Sequence, residues 1–157
     1  MAAPAWHLAQ INIARARGPM DGPVMAEFVA ALDGINVLAE ASPGFVWRLK
    51  DESGNATALR AFPDPLMLVN MSVWADVASL QLYVYRTMHG RFFARRQEWF
   101  EKLEHAYVAL WWIPVGHEPT TDEAKQRLDL LERSGPSAAA FTFRQIFPPP
   151  TPAATQP

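Results

Sequence analysis

The sequence predicts an α+β fold in which an antiparallel sheet carries its helices on one face. In residues 7–17 and in residues 66–74, the even-numbered and odd-numbered positions carry different sets of side chains, as the two faces of a strand do. Segments with apolar residues at helical spacing separate these strands. The predicted order is β-α-β-β-α-α-β-α-β, and the core of that order is the ferredoxin-like arrangement.

The first strand, residues 7–17, ends at Gly18-Pro19. Asp21 is placed to cap the first helix, because its carboxylate can accept a hydrogen bond from a free backbone N–H of the first turn. The helix has one predicted buried face, formed by Met25, Phe28, Val29, Leu32 and Ile35. A turn at residues 42–44 then precedes a short strand at 45–49 and a hairpin-like loop at 51–55.

Residues 66–74 form the strongest predicted strand, with Asn70, Ser72 and Trp74 on one face. Asp76 is the predicted cap of a second helix, which continues to about residue 89. The remaining predicted elements are a helix at 91–104, strands at 107–114 and 140–144, and a helix that begins with a capping box formed by Thr120 and Glu123.

The composition predicts one domain, residues 5–147, followed by a disordered proline-rich tail at 148–157. The net charge of −2 gives no reason to expect nucleic acid or an anionic membrane as a partner. The absence of cysteine excludes disulfides and thiolate metal sites. No apolar run approaches the ~18 residues of a membrane helix, and no secretory signal is recognisable, so we expect a cytoplasmic protein.

Residues 70–120 contain four of the six tryptophans, three of the four histidines and a cluster of arginines. This mixture of amphipathic rings and cations is typical of a pocket wall. The histidines lack the spacing of a metal site, so no metal is expected. The chain also lacks the glycine-rich and nucleophile motifs of nucleotide-binding proteins and serine hydrolases.

Five segments carry a resemblance to a known family: SPGFVWRL (42–49), SVW (72–74), HGRFFARRQEWF (89–100), WWIPVGHEPT (111–120) and GPSAAAFTF (135–143). Over residues 8–143 the chain resembles the bacterial family of unknown function DUF3291. That family is similar to the dimeric α+β barrel superfamily, which includes cofactor-independent antibiotic-biosynthesis monooxygenases, EthD-like proteins and haem proteins such as chlorite dismutase. The resemblance implies a homodimer with a ligand cavity between sheet and helices.

The candidate catalytic residues are His89, Tyr83, Tyr85 and Arg96. His89, or one of the tyrosines, would move a proton, because a histidine titrates near neutrality. Arg96 would stabilise a developing phenolate or enolate. The alternatives are a helix-end histidine and a solvated helix face on which Arg95 pairs with Glu98.

The candidate substrate-binding residues are mainly aromatic rings and strand amides: Trp47, Trp74, Phe92, Trp99, Trp111, His117, Asn12 and Asn70. The rings can equally form a large-residue core, and His117 can simply orient a turn. Asn12, Asn70 and Ser72 occupy strand positions that we expect to be largely buried, so each needs a hydrogen-bond partner.

The sequence therefore predicts a protein that binds a small organic molecule, partly apolar or aromatic and in one form anionic, between its sheet and helices. As an enzyme it would be a cofactor-independent monooxygenase, isomerase or cyclase. Two other hypotheses stay open at this point. One is a haem protein with His89 as the axial ligand, and the other is a non-catalytic ligand-binding module.

Overall fold

A computed structural model describes residues 5–50, 62–88 and 94–150. The described elements are β1 (Trp6–Ala16), α1 (Ala26–Ala41), β2 (Phe45–Arg48), β3 (Met67–Trp74), α2 (Val77–Met88), α3 (Arg96–Trp99), β4 (Phe100–Glu101), β5 (Val108–Pro114) and α4 (Thr121–Ser134).

The strands form one antiparallel sheet with β1 at its centre. Strand β3 pairs with one edge of β1, from Leu8 opposite Trp74 to Arg15 opposite Met67. On the other edge, β5 pairs with the first half of β1 and the short β4 pairs with its end. Strand β2 extends the sheet beyond β3. The order β2-β3-β1-β5 confirms the predicted ferredoxin-like α+β fold.

The two faces of the sheet are covered by different helices. Odd-numbered residues of β1, β3 and β5 form one core with α4, and even-numbered residues form separate clusters with α1 and α2. Successive side chains of a strand point to opposite faces. We call the two sides the α4 face and the α1/α2 face.

The α4 face is covered within a single chain, which the sequence did not predict. Ile11 and Trp111 are fully buried there, under Leu128 and Leu131 of α4. Burial of each such leucine stabilises the fold by about 1.5–3 kcal/mol. A sheet with helices on one face alone would need cover for its other face, and pairing of two subunits is one common way to provide it. The homodimer stays a prediction, but the need to cover the α4 face does not support it, because α4 already covers that face.

Two predicted helix caps are confirmed and one is wrong. The Ser79 N–H donates to Asp76 Oδ1 at 2.8 Å, and the Glu123 N–H donates to Thr120 Oγ1 at 3.1 Å. Helix α1, in contrast, begins at Ala26 after Met25, without a side-chain cap, and Asp21 lies in the turns before it. Met25 is fully buried, so its packing fixes the start of the helix.

The helix predicted at 91–104 is wrong over its second half. The helix ends at Trp99, and β4 follows at once. Pairing with β1 overrides helix propensity here, because Arg15 bonds the side chain of Glu101 and the Arg17 N–H donates to the Trp99 carbonyl at 2.8 Å.

The strand predicted at 140–144 is reduced to one bridge. Phe141 and Leu110 exchange two backbone hydrogen bonds, and tight turns on either side prevent the pairing from continuing. The predicted loop at 51–55 and residues 151–157 of the predicted tail lie outside the described residues. The single domain at 5–147 and the disorder of the tail stay predictions.

Candidate ligand-binding cleft

Two asparagines at the centre of the sheet are exposed on the α1/α2 face. Asn12 of β1 lies opposite Asn70 of β3, and the next pair along this face is Gln10 opposite Ser72. Gln10 and Ser72 are buried, whereas Asn12 and Asn70 are open to solvent. Central strands under helices normally bury their side chains. Exposure here means that the helices leave an opening above the sheet.

The opening separates two apolar clusters. At one end, Leu8 and Trp74 pack with Leu80 of α2. At the other end, Ala16 packs with Met25 and Trp99. Leu8 and Ala16 mark the two ends along β1 and lie about 26 Å apart at the usual rise of a strand. The asparagine pair lies midway between them.

Helix α1 runs from one apolar cluster to the other and forms a roof. Phe28, Leu32, Ile35 and Ala39 recur at helical spacing on one side of it. Phe28 packs into one apolar cluster and Ala39 into the other. Leu32 and Ile35, between them, are half-buried and belong to neither cluster. Because their helical spacing places them on the same side of α1 as Phe28 and Ala39, we infer that they lie above the asparagines, and we call the space between Leu32, Ile35, Asn12 and Asn70 the central cleft.

A hydrogen-bond network fixes the floor of the central cleft. Gln10 Nε2 donates to Asn70 Oδ1 at 2.7 Å and to Ser72 Oγ at 2.8 Å. Trp74 Nε1 also donates to Ser72 Oγ, at 2.8 Å. The bonds join β1 to β3 and hold the Asn70 side chain in one orientation. A floor fixed in this way can bind a polar group of a ligand without further ordering.

A half-buried phenol stands at one side of this floor. The ring of Tyr83, on α2, stacks on Trp74 with ring centroids 5.0 Å apart. Burial raises the pKa of the Tyr83 hydroxyl, and the nearby charge of Arg48 opposes that effect only in part. Tyr83 is therefore a neutral phenol near pH 7 and acts as a hydrogen-bond donor rather than as a base.

Arg48 is a positively charged residue on the same side of the central cleft as Tyr83. It lies opposite Ser72 at the end of β2, beyond an irregularity between Phe45 and Trp47. The Arg48 side chain is 13% exposed, and its Nε lies 3.6 Å from Glu40 Oε2. That separation is too long for a hydrogen bond, and the buried Nε has no hydrogen-bond partner among the described residues.

Residues 7–156 match the family described as Domain of unknown function (DUF3291). The chain belongs to the DUF3291 family. Comparison with curated proteins finds no match.

Two solved structures are similar to this DUF3291 chain. One is SnoaB, a cofactor-independent oxygenase from Streptomyces nogalater, with 14% identity, 73% of this chain and 97% of that chain covered, and a TM-score of 0.41. The other is NE2512, a protein of unknown function from Nitrosomonas europaea, with 18% identity, 74% and 95% coverage, and a TM-score of 0.40.

The fold brings together four residues that the sequence singled out in this DUF3291 chain. Asn12 and Asn70 form the floor of the central cleft, and Tyr83 stands beside it on Trp74. Trp74 is fully buried, so it positions Tyr83 and Ser72 from beneath. The expectation that Asn12 and Asn70 are buried is wrong, because the two apolar clusters on this face bury the ends of β1 and do not extend over its centre.

The other candidates lie elsewhere or outside the described residues. Trp47 and Trp111 pack on the α4 face. Trp99 belongs to the cluster around Met25, and Tyr85 is 63% exposed. The remaining candidates are Arg96, which is exposed in α3, and His89 and Phe92, which lie outside the described residues and whose roles stay predictions.

Arg95, next to Arg96, has a structural role. It makes two hydrogen bonds to Glu98, at 2.8 and 3.0 Å, and a third to Glu27 of α1. Its guanidinium also lies over the Trp99 ring, 5.1 Å from the centroid. The predicted pairing of Arg95 with Glu98 is thus confirmed, and it links α3 to α1.

His117 is part of a hydrogen-bonded group on the α4 face. Glu123 Oε1 lies 2.7 Å from His117 Nε2, and Glu123 Oε2 accepts from Trp111 Nε1 at 2.8 Å. Burial acts to raise the pKa of the Glu123 carboxyl, but the hydrogen bonds from His117 and Trp111 outweigh it and lower the pKa. The group joins the start of α4 to β5, on the side of the sheet opposite the central cleft.

Sequence reasoning missed Arg48. The signal was a cation at a strand position between Trp47 and Leu49, which both pack into the core of the α4 face. Alternation places Arg48 on the other face, with Ser72. Within the described ranges, no group of three metal-ligating side chains is found, and no helix is long and apolar enough to cross a membrane.

Proposed function

We propose that this protein binds a small, partly apolar organic molecule in the central cleft. One observation carries the proposal: Asn12 and Asn70 are exposed at the centre of the sheet, between two apolar clusters that both include residues of α1. Ligand sites combine apolar walls with a few fixed polar groups. Here Leu32 and Ile35 supply the apolar roof, and the hydrogen-bonded amides supply the polar floor.

A more specific form of this proposal is that the protein is an enzyme that acts on the bound molecule. A cyclase or isomerase needs a group that gives a proton to a developing oxyanion, and a neutral phenol can do so. Tyr83 has that protonation state and lies beside the floor. Cofactor-independent oxidation, a homodimer and a cytoplasmic location stay predictions from the sequence.

The side-chain amides of Asn12, Asn70 and Gln10 make the proposal testable without knowing the ligand. A ¹⁵N-labelled sample is titrated with a panel of small neutral aromatic compounds, beginning with 2-naphthamide. Bound compounds should shift the side-chain amide signals of these residues, which Asn→Asp and Gln→Glu variants assign. The proposal is contradicted if no compound of the panel shifts the side-chain amide signals of Asn12, Asn70 or Gln10, whether or not compounds bind at another part of the protein.

A blocking variant provides a second readout. In Asn70→Trp the indole should fill the cleft, so binding of the panel compounds should be lost while circular dichroism stays unchanged. Gln126→Trp is the matched control, because Gln126 is exposed on α4, on the opposite side of the sheet. Binding that survives in Asn70→Trp would place the ligand elsewhere.

A further inference from the structure

Arg48 is placed to reach a ligand in the central cleft. It lies directly opposite Ser72, which is two residues from Asn70 on the same face of β3. Diagonal neighbours of this kind have Cβ atoms roughly 7–8 Å apart, within reach of a long side chain. A molecule resting on Asn70 therefore has the Arg48 guanidinium at its side.

The charge of Arg48 is only partly compensated. The side chain is 13% exposed, so most of it is removed from water. Glu40 Oε2, at 3.6 Å, is the carboxylate beside it, and the Nε has no hydrogen bond among the described residues. A buried cation without well-formed hydrogen bonds is unfavourable, and a closer anion relieves that cost.

Glu40 is a counter-ion that a ligand can replace. Its side chain is 41% exposed in the last turn of α1, so it can turn into water when another anion approaches Arg48. A planar carboxylate fits the guanidinium with two parallel hydrogen bonds, which the present ion pair lacks. The apolar remainder of such a ligand would then lie below Leu32 and Ile35.

We propose that Arg48 is the anion-binding residue of the central cleft, and that the ligand is a small carboxylic acid with an apolar body, whose carboxylate displaces Glu40 from Arg48. This proposal rests on the proposed function, because it assigns a substrate class to the same cleft. It moves the anion-binding role from Arg96, as predicted from the sequence, to Arg48.

A matched pair of probes tests the assignment. 2-Naphthoate and 2-naphthamide have the same ring system and differ in charge, and calorimetry gives the affinity of each. The wild-type protein should bind the carboxylate about 10-fold more tightly or better, a difference typical of a charge-assisted hydrogen-bonded pair. Arg48→Gln should abolish this preference while the affinity for 2-naphthamide stays within about 2-fold.

Glu40→Gln keeps Arg48 and removes its competitor. The affinity for 2-naphthoate should rise severalfold, and that for 2-naphthamide should not change. This variant, together with Arg48→Lys, decides the matter if Arg48→Gln fails to fold, since lysine keeps the charge but not the bidentate geometry and should reduce the preference. Arg95→Gln is the control and should keep the preference, because Arg95 pairs with Glu27 and Glu98.

The outcomes separate the two proposals. If both probes shift the Asn12 and Asn70 amides with equal affinity, the cleft binds ligands and the assignment of Arg48 is wrong. If the preference persists in Arg48→Gln, another cation binds the anion. A lower affinity for 2-naphthoate in Glu40→Gln would also overturn the displacement. If neither probe shifts the amides, the proposed function fails together with this inference.

Discussion

Gly44 lies so close to Ser79 that no side chain fits between them. A Cβ on Gly44 would lie 2.1 Å from Ser79 Oγ and 2.4 Å from Ser79 Cβ. The residue also has a positive φ of 82°, and its carbonyl accepts from the Ala75 N–H at 2.7 Å. This contact sets the turn between α1 and β2 against the first turn of α2.

Gly44→Ala should therefore destabilise the protein by about 1–3 kcal/mol or more, because the methyl group meets both a steric overlap and an unfavourable φ. Urea unfolding measures the effect. Adding Ser79→Gly should recover part of the loss, since it removes the overlapping atoms but not the φ strain. Equal stability of Gly44→Ala and the parent would mean that the turn rearranges freely.

Ser72→Ala should destabilise the floor of the central cleft. The Ser72 hydroxyl accepts hydrogen bonds from both Gln10 Nε2 and Trp74 Nε1, so the variant removes the acceptor that these two buried donors share. We expect a cost of about 1–3 kcal/mol in the free energy of unfolding. Ser137→Ala, where one backbone N–H near the surface loses its acceptor, should cost less. A smaller loss for Ser72→Ala than for Ser137→Ala would show that the network contributes little.

Much of the fold could be predicted because the two faces of a strand carry different side chains, and this difference is visible as alternation in the sequence. The alternation in residues 66–74 gave both the strand and the side on which Asn70, Ser72 and Trp74 lie. Local caps such as Asp76 were equally readable, since the cap and its partner are three residues apart. The end of α3 could not be predicted from the sequence, because it depends on the pairing of Glu101 with Arg15, which is distant in the chain.

The candidate site could be predicted only in part, for a related reason. Asn12 and Asn70 were recognisable as polar strand residues, but their exposure depends on how α1 crosses the sheet. The aromatic residues of 70–120 are divided between the two faces, since neighbouring strand residues point in opposite directions. Arg48 lies outside that segment and became a candidate only through its register with Ser72.

Glu123→Gln should weaken the attachment of α4 and change the response to acid. At pH 7 the variant should lose about 1–3 kcal/mol, because charge-assisted hydrogen bonds from His117 and Trp111 become weaker or are lost. The pKa of Glu123 is lowered in the folded state, so the unfolded chain binds the proton more readily. The contribution of Glu123 is therefore present above about pH 4.3 and is lost as the pH falls further, through the folded pKa.

Urea unfolding at pH 7 and at lower pH measures this dependence. Below about pH 4.3, the parent should lose stability faster than Glu123→Gln, because glutamine does not titrate. Glu118→Gln is a suitable control, since Glu118 is exposed in the loop before α4. Identical acid slopes for the parent and Glu123→Gln would show that the carboxylate is not held by these bonds.

Tyr83→Phe tests the protonation state of the phenol at the central cleft. Burial raises the pKa of Tyr83, so the folded protein should show a tyrosinate absorbance component that appears above the ordinary value of about 10. The variant should lack that component, whereas Tyr85→Phe should leave it in place.

Above the unfolded pKa of Tyr83, the unfolded chain loses this proton before the folded protein does. Stability should therefore fall with rising pH until the folded pKa is passed, and Tyr83→Phe should reduce the slope. At neutral pH the variant keeps the ring that stacks on Trp74 and loses only the hydroxyl, so we expect the free energy of unfolding to change by less than about 1.5 kcal/mol. A turnover that requires Tyr83 as a proton donor should be lost in the variant, with ligand affinity largely kept. An unchanged alkaline titration would mean that the hydroxyl is solvated, and would remove Tyr83 as the neutral donor of the cleft.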